Sequence, residues 1–466
     1  MKTIIRREFL EHIQSLQFLA LLALTVILFA ANGLIFVRSY QQQNDFYQKQ
    51  VAMKENSPST RVTYLFRRPN PLIFVAEGGN KDRPSGYSLH PKGALVAEPM
   101  NPRTFKLPDV LPLDWSFIIG ILFSLYVILL SYNAISGEKE QGTLRLVLSN
   151  PLARVKLLAA KYFSLLFIVL VPLAVGALLS LIIVAALAPQ ILTLANVSRI
   201  FIAILLALAY VSLFIFLSLL VSALIPRSSL VLLTLLAAWI LFAVIIPSSS
   251  IVLVEKLSAA PTEAQAAKMF EPMVQKEVWA KIKDIATKAE RGEYKSEEEV
   301  KEAADRAFEE GQAKVVAFYE NYDKAEKERT RAAKNLSRLS PAALLQYASE
   351  DIVQTGDEGE EQFLRQLREY SRVYDQYILK KVGKLVRTSN WSFGTEISLH
   401  GKTIEIHSPE PQEYQGDKSD FPKFSERRTP LAVSVKSALF DLSGLIVWNI
   451  ILAGLAFSAF LRADVR

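Results

Sequence analysis

Hydrophobic and polar positions are segregated along this chain rather than interleaved. Six apolar runs, at residues 16–37, 115–134, 162–187, 200–225, 230–254 and 438–461, are almost free of charge. The stretches between them carry nearly all the Lys, Arg, Asp and Glu. Each run reaches the roughly 20 residues that a helix needs to cross a hydrocarbon core of about 30 Å. Lipid cannot satisfy free backbone N–H and C=O groups, so the runs predict six transmembrane helices. Pro172 is placed to kink the third, and Pro226-Arg227-Ser228 makes a tight turn between the fourth and fifth. The first run follows Lys2, Arg6 and Arg7 as a signal peptide would. It continues past Ala30-Ala31 to Val37 without a cleavage site, so a retained helix is expected. Ahead of it, residues 1–15 read as a cytoplasmic interfacial helix, with Ile5, Phe9 and Ile13 on one face together with Leu16.

Two long insertions interrupt the apolar pattern. In residues 38–114, Val62 to Phe66 and Leu72 to Val75 read as short strands among Pro- and Gly-rich turns, a small mixed α/β unit. Residues 255–437 open with helical periodicity. Thr262 and Gln265 are spaced as a capping box, and Ala267, Phe270, Val274, Val278, Ile282, Ile285 and Ala289 recur every three or four residues. After Arg291-Gly292, Ser296 and Glu299 form a second box, and the seam resumes through Val300, Ala304, Phe308, Gly311, Val315, Phe318 and Tyr322. This predicts an antiparallel helical arm. A further helix is expected over 360–386, then a β-hairpin of Thr395–Leu399 and Thr403–His407 about His400-Gly401-Lys402. The fold class is therefore an α-helical polytopic membrane protein with two extracytoplasmic insertions.

Charge gives the orientation. With the N-terminus inside, the short inner segments hold Lys2, Arg6, Arg7, Lys139, Arg145, Arg154, Lys156, Lys161, Arg227, Arg462 and Arg466, whereas the short outer loop offers only Arg199. Both termini and the 135–161 loop are expected in the cytoplasm, and both insertions outside. The net charge of +7 lies mainly beside the spans and in the first insertion, not on a basic face interleaved with aromatics, which excludes a nucleic-acid partner. With no cysteine there is no disulfide, thiolate metal site or Cys nucleophile, and the four scattered histidines lack metal-ligand spacing. Inside the spans, Asp441 lies about a turn into the last helix, where it reads as hydrated, lipid-facing or paired with Lys436. Asn449 is deeper and suits a hydrogen bond between helices.

The most informative stretch is the loop between the second and third spans. Glu138 and Glu140 close the extension of the second span, Gly142 breaks it, and Thr143 can cap a new helix. Leu144, Val147 and Leu148 give an apolar stripe barely two turns long. Asn150 can cap and Pro151 can open the next helix, which Arg154, Lys156 and Lys161 hold at the headgroups. A short amphipathic helix between two breaks suits docking in a partner's groove, and equally an ordinary interfacial loop.

Glu138, Glu140, Gly142-Thr143-Leu144, Leu148-Ser149, Pro151 and Arg154 together resemble the cytoplasmic loop of ABC-2 type ABC transporter permeases. The six spans, the interfacial helix and the enlarged insertions are similar to a bacterial subgroup of that family. The resemblance implies a permease of an ATP-driven exporter in the bacterial inner membrane, with Thr143 to Ser149, including Arg145, as its coupling helix. The sequence contains no G-x-x-x-x-G-K-[ST], so the chain is expected to be no enzyme and to bind no cofactor itself. ATP and Mg would sit on a cytoplasmic ABC ATPase dimer, beside a second permease, the same or homologous, with membrane lipid around both. Two other readings stay open. In one, the arm is an ABC-type mechanotransmitter acting on an extracytoplasmic partner; in the other, the chain is an ATPase-independent receptor or scaffold.

Overall fold

The computed structural model describes residues 9–10, 13–79, 83–89, 95–98, 113–144, 153–258, 261–383, 385, 394–399, 402–407 and 413–462. Among them, six helices are long and apolar enough to cross a membrane. They are α1 (Leu16–Asn56), α2 (Trp115–Glu140), α3 (Arg154–Leu187), α4 (Leu194–Leu224) and α5 (Ser228–Leu257), with the last, Leu431–Arg462, near the C-terminus. The chain is a helical polytopic membrane protein. Of the expected interfacial helix, Phe9, Leu10 and Ile13 are helical, and residues 1–8, including Ile5, lie outside the described residues.

Side-chain caps fix where the spans begin. Ser15, Asp114 and Thr193 accept from the backbone N–H groups of Phe18, Phe117 and Asn196, relieving donors that a helix start leaves unpaired. Helix α1 runs well past its apolar stretch. The residues from Arg38 to Asn56 rise about 28 Å beyond Val37, so the start of the first insertion is a continuous stalk. Helix α3 continues through Pro172. Wide π-turns occupy Ile118–Phe123 of α2 and Ile240–Ile245 of α5. The π-turn in α2 leaves the Gly120 carbonyl to accept from Tyr210 Oη at 2.6 Å and from Ser124 Oγ at 2.6 Å. Ser124 in turn accepts from Trp239 Nε1 at 2.8 Å, which ties α5 to α2.

The bundle has a loop end, carrying residues 135–161, and an insertion end. At the insertion end β1 (Thr63–Phe66), β2 (Gly86–Leu89) and β3 (Leu95–Glu98) form an antiparallel sheet in that order, with Thr63 opposite Leu89 and Gly86 opposite Glu98. The strand expected at Leu72 to Val75 is a turn instead. Leu72, Phe74 and Val75 are buried against the membrane bundle, and the backbone is spent on other partners. The Phe74 and Val75 carbonyls accept from Trp115 N and Ser116 N, both at 3.0 Å, and Asn32 Nδ2 donates to Phe74 O at 3.1 Å. A segment whose carbonyls cap a helix has none left for a ladder.

The second insertion begins with the arm. Its first limb is α6 (Glu263–Val274) and α7 (Ala280–Glu290), joined by a π-turn over Gln275–Trp279; its second limb is α8 (Glu297–Ser337). Thr262 and Gln265 make both bonds of a capping box. Ser296 caps Glu299 N, but the Glu299 carboxylate accepts from Lys295 N. Then follow α9 (Pro341–Val353) and α10 (Asp357–Val382), the latter ending at Gly383 with φ of 81°. Strands β4 (Gly394–Leu399) and β5 (Lys402–His407) pair antiparallel, so Lys402 belongs to a strand; His400 and Gly401 lie outside the described residues. Their apolar face, Ile397, Leu399, Ile404 and Ile406, completes the core of the arm. A separate core joins Leu65, Tyr87 and Leu89 of the sheet to Phe363, Leu367, Tyr370 and Tyr374 of α10. The last span is α11 (Leu431–Arg462).

Helix α9 was not expected from sequence. Pro341 occupies its first turn, and Ser340 Oγ accepts from Ala342 N at 3.1 Å and Ala343 N at 3.3 Å while donating to the Phe242 carbonyl of α5. Leu344, Leu345, Ala348, Ile352 and Val353 join the membrane core rather than either insertion core. Arg199 fixes the far end of α9. Its guanidinium, almost fully buried, donates to Ile352 O of α9, to Ser434 Oγ of α11 at 2.9 Å and to Thr429 O at 2.6 Å. Arg199, in the first turns of α4, is thus a three-way clamp.

Candidate coupling site at the loop end

The stem of the 135–161 loop is built by α4 as much as by α2. The last turn of α2, Ser136–Glu140, follows a break at 132–135. Its first N–H groups lack partners within the helix, and Ser222 Oγ of α4 accepts from Ile135 N at 3.1 Å and Ser136 N at 2.8 Å. Lys139 Nζ donates to the Ala223 carbonyl at the C-terminal end of α4, where a cation complements the helix dipole.

Each acidic residue of the expected motif has an internal partner. Glu138 Oε1 accepts from Lys161 Nζ at 2.7 Å, which joins α2 to α3. Lys161 is 3% exposed, so it does not sit at the headgroups as expected; the Glu138 carboxylate compensates a charge that burial would otherwise make costly. Glu140 accepts from Ser228 N at 2.9 Å and from Ser228 Oγ at 2.8 Å, placing an anion at the N-terminus of α5. Gly142 has φ of 70°, where a Cβ would be strained, and so breaks the helix. The Thr143 hydroxyl donates back to Glu138 O at 3.3 Å, closing the preceding turn, while the N–H groups it was expected to cap lie outside the described residues. Leu144 is buried in the membrane core. Arg154 Nη1 donates to Leu461 O at 2.7 Å, so the start of α3 is tied to the end of α11. Arg145, Leu148, Ser149 and Pro151, with the rest of the expected coupling helix, lie outside the described residues.

The two intramembrane candidates also find partners. Asn449 Nδ2 donates to Ala209 O of α4 at 2.9 Å. Asp441 is fully buried and is not paired with Lys436. Arg338, the residue after α8, takes both of its oxygens: Nε to Oδ1 at 2.6 Å and Nη2 to Oδ2 at 3.0 Å. Sequence reasoning missed Ser222, Lys161 and Arg338 as site residues. Ser228 carried a local signal, since it follows Pro226-Arg227 directly before an apolar run.

Fold and site together define a multi-pass helical membrane protein whose loop end converges on a short polar junction. The model of the family described as ABC-2 family transporter protein matches residues 2–465. The chain belongs to this family, and it is a membrane permease subunit. Comparison with curated protein sequences finds no match.

Proposed function

We propose that the chain is the permease subunit of an ATP-driven ABC-2 exporter, moved by a separate cytoplasmic ATPase dimer through the segment from Thr143 to Ser149. The observation that supports this best is the double tie of the loop stem, Glu138 to Lys161 and Glu140 to Ser228. A load on the loop is delivered to α2, α3 and α5 together, as a lever requires. The loop and both termini then face the cytoplasm of a bacterial inner membrane, with both insertions outside. A second permease, identical or homologous, and lipid share the apolar outer faces of α5 and α11, which carry Leu233, Ile251, Phe440 and Ile450 exposed.

The test separates coupling from stability. Glu138→Met with Lys161→Met removes the buried pair without stranding either charge, and Glu140→Ala removes the cap on α5. The triple variant, purified with its ATPase in nanodiscs, is expected to assemble but to lose about tenfold in permease-dependent ATP turnover, equivalent to about 1.4 kcal/mol. Unchanged turnover rejects the lever.

A second reading has its own observation. Arg338 joins the root of the arm to Asp441 inside α11, and α8 packs beside the outer part of α5, so movement of either span moves the arm. In that reading the chain is a mechanotransmitter acting on an extracytoplasmic partner. Removing residues 275–312 together with 394–407 shortens the arm and its hairpin while leaving the root. An exporter keeps transport after this change, and a mechanotransmitter keeps ATP turnover but loses its action outside.

A further inference from the structure

The stalk of α1 forms one wall of a cavity that the coupling scheme does not use. Its volume is about 240 Å³, and it lies between Tyr47, Val51 and Lys54 of the stalk, Tyr64 and Phe66 of β1, and the segment from Lys418 to Phe424. Tyr47 and Lys54 stand ten and seventeen residues beyond Val37, about 15 and 25 Å past the apolar stretch, so the cavity opens to water rather than to lipid.

The walls are aromatic, and the charges are unequal in their partners. Tyr47, Tyr64, Phe66, Phe421 and Phe424 offer ring faces and edges to an apolar body. Of the three lysines around the cavity, Lys418 pairs with Glu413 and Lys423 lies 3.2 Å from Glu55. Lys54 has no carboxylate within ion-pair distance among the described residues, and its ammonium sits 5.4 Å from the centre of the Tyr370 ring. A cation–π contact leaves the formal charge uncompensated. Burial pushes this ammonium down to about 8, with Glu55 opposing the shift. A half-buried cation without an ion-pair partner, in the wall of an aromatic-lined cavity that Glu55 also borders, is a site that gains from a bound anion.

We infer that this cavity is a binding site for a small amphipathic monoanion, a carboxylate or similar head on an apolar body, with Lys54 as its counter-ion. The inference goes beyond the coupling role and does not depend on it. Two sources supply such a ligand: a fatty acid or lipid fragment drawn from the membrane, and a water-borne aromatic acid.

The experiment is calorimetric titration of the full chain in nanodiscs, with empty nanodiscs subtracted. The probes are decanoate, 4-phenylbutyrate and the neutral 4-phenylbutan-1-ol. At least one acid is expected to bind about tenfold or more tightly than the alcohol, a difference of about 1.4 kcal/mol. Lys54→Met should weaken that acid about tenfold and leave the alcohol unchanged, while Lys54→Arg keeps the preference. Thermal stability of both variants is measured alongside, and Lys54→Arg controls for packing of the stem. Decanoate alone marks the lipid-derived source, and 4-phenylbutyrate alone the water-borne one. Equal affinity for acid and alcohol, an unaffected Lys54→Met, or saturable binding of neither acid overturns the assignment.

Discussion

Arg338 and Asp441 meet as a bidentate pair at the point where the arm enters the bundle. The carboxylate is fully buried in α11, and the guanidinium retains 24% side-chain exposure. The guanidinium also lies over the Phe440 ring, 4.9 Å from its centre. The two residues are 103 positions apart in the chain, yet they join the end of a helix of 41 residues to the last span. At 1.5 Å per residue, α8 reaches about 60 Å, so the pair anchors the root of a long lever.

Arg338→Met leaves Asp441 buried without its counter-charge and is expected to cost about 3 kcal/mol. Asp441→Asn should cost less, because the partly exposed guanidinium retains access to water. The double variant Arg338→Met with Asp441→Leu should recover most of the loss, which a double-mutant cycle in thermal unfolding against Arg338→Met and Asp441→Leu alone measures. Simple additivity of the two single changes would show that the pair is not coupled.

The Arg338–Asp441 pair marks the boundary of what the sequence discloses. The spans were legible because their signal is local: some 20 successive apolar residues have no soluble explanation. The arm was legible for the same reason, since its seam from Val274 to Phe308 repeats at helical spacing. Helix α9 was not, because its 13 residues are too few to span a bilayer and include Glu350 and Asp351. Only the space among α2, α4 and α11 makes a home for it. Arg199, Lys161 and Asp441 were read by their neighbours in sequence as a loop charge, a headgroup anchor and a partner of Lys436. Each is paired instead with a residue far along the chain, which no pattern of nearby positions reveals. At the candidate site, the acidic pair and Gly142 were found by motif, while Ser222 and Lys161 required the fold.

Glu413 gives the insertion end a dependence on acidity. Its carboxylate accepts from Ser59 Oγ at 2.7 Å, Thr60 N at 3.1 Å, Arg61 N at 3.2 Å and Lys418 Nζ, and so clasps the end of the α1 stalk. Desolvation raises its pKa, but the donors outweigh it and hold the group below its ordinary value of 4.5. A carboxyl lowered on folding stabilises the fold above its unfolded pKa, and that stability is lost as pH falls through the folded value. The gap in thermal stability between the native chain and Glu413→Gln should therefore be full at pH 7 and close below the ordinary carboxyl value. A gap that ignores pH would mean that the carboxylate charge contributes nothing.

Gly311 sets how closely the two limbs of the arm approach. A Cβ built there collides with Val278 Cγ2 and lies 3.3 Å from the Glu277 carbonyl. Val278 is β-branched and held in a helical turn, so its methyl cannot swing aside cheaply. Gly311→Ala gains helix propensity of about 1 kcal/mol but must force the limbs apart, and overpacking costs about 1–3 kcal/mol. The net loss should fall on the arm alone, because β4, β5 and both limbs share one core that the membrane bundle does not enter. Hydrogen exchange should accelerate in residues 274–315 and 394–407 and stay unchanged in α4 and α9. Adding Val278→Ala makes room for the new methyl and should return the arm to native protection. If Gly311→Ala slows exchange in the arm, propensity outweighs the clash and the limbs are looser than their packing indicates.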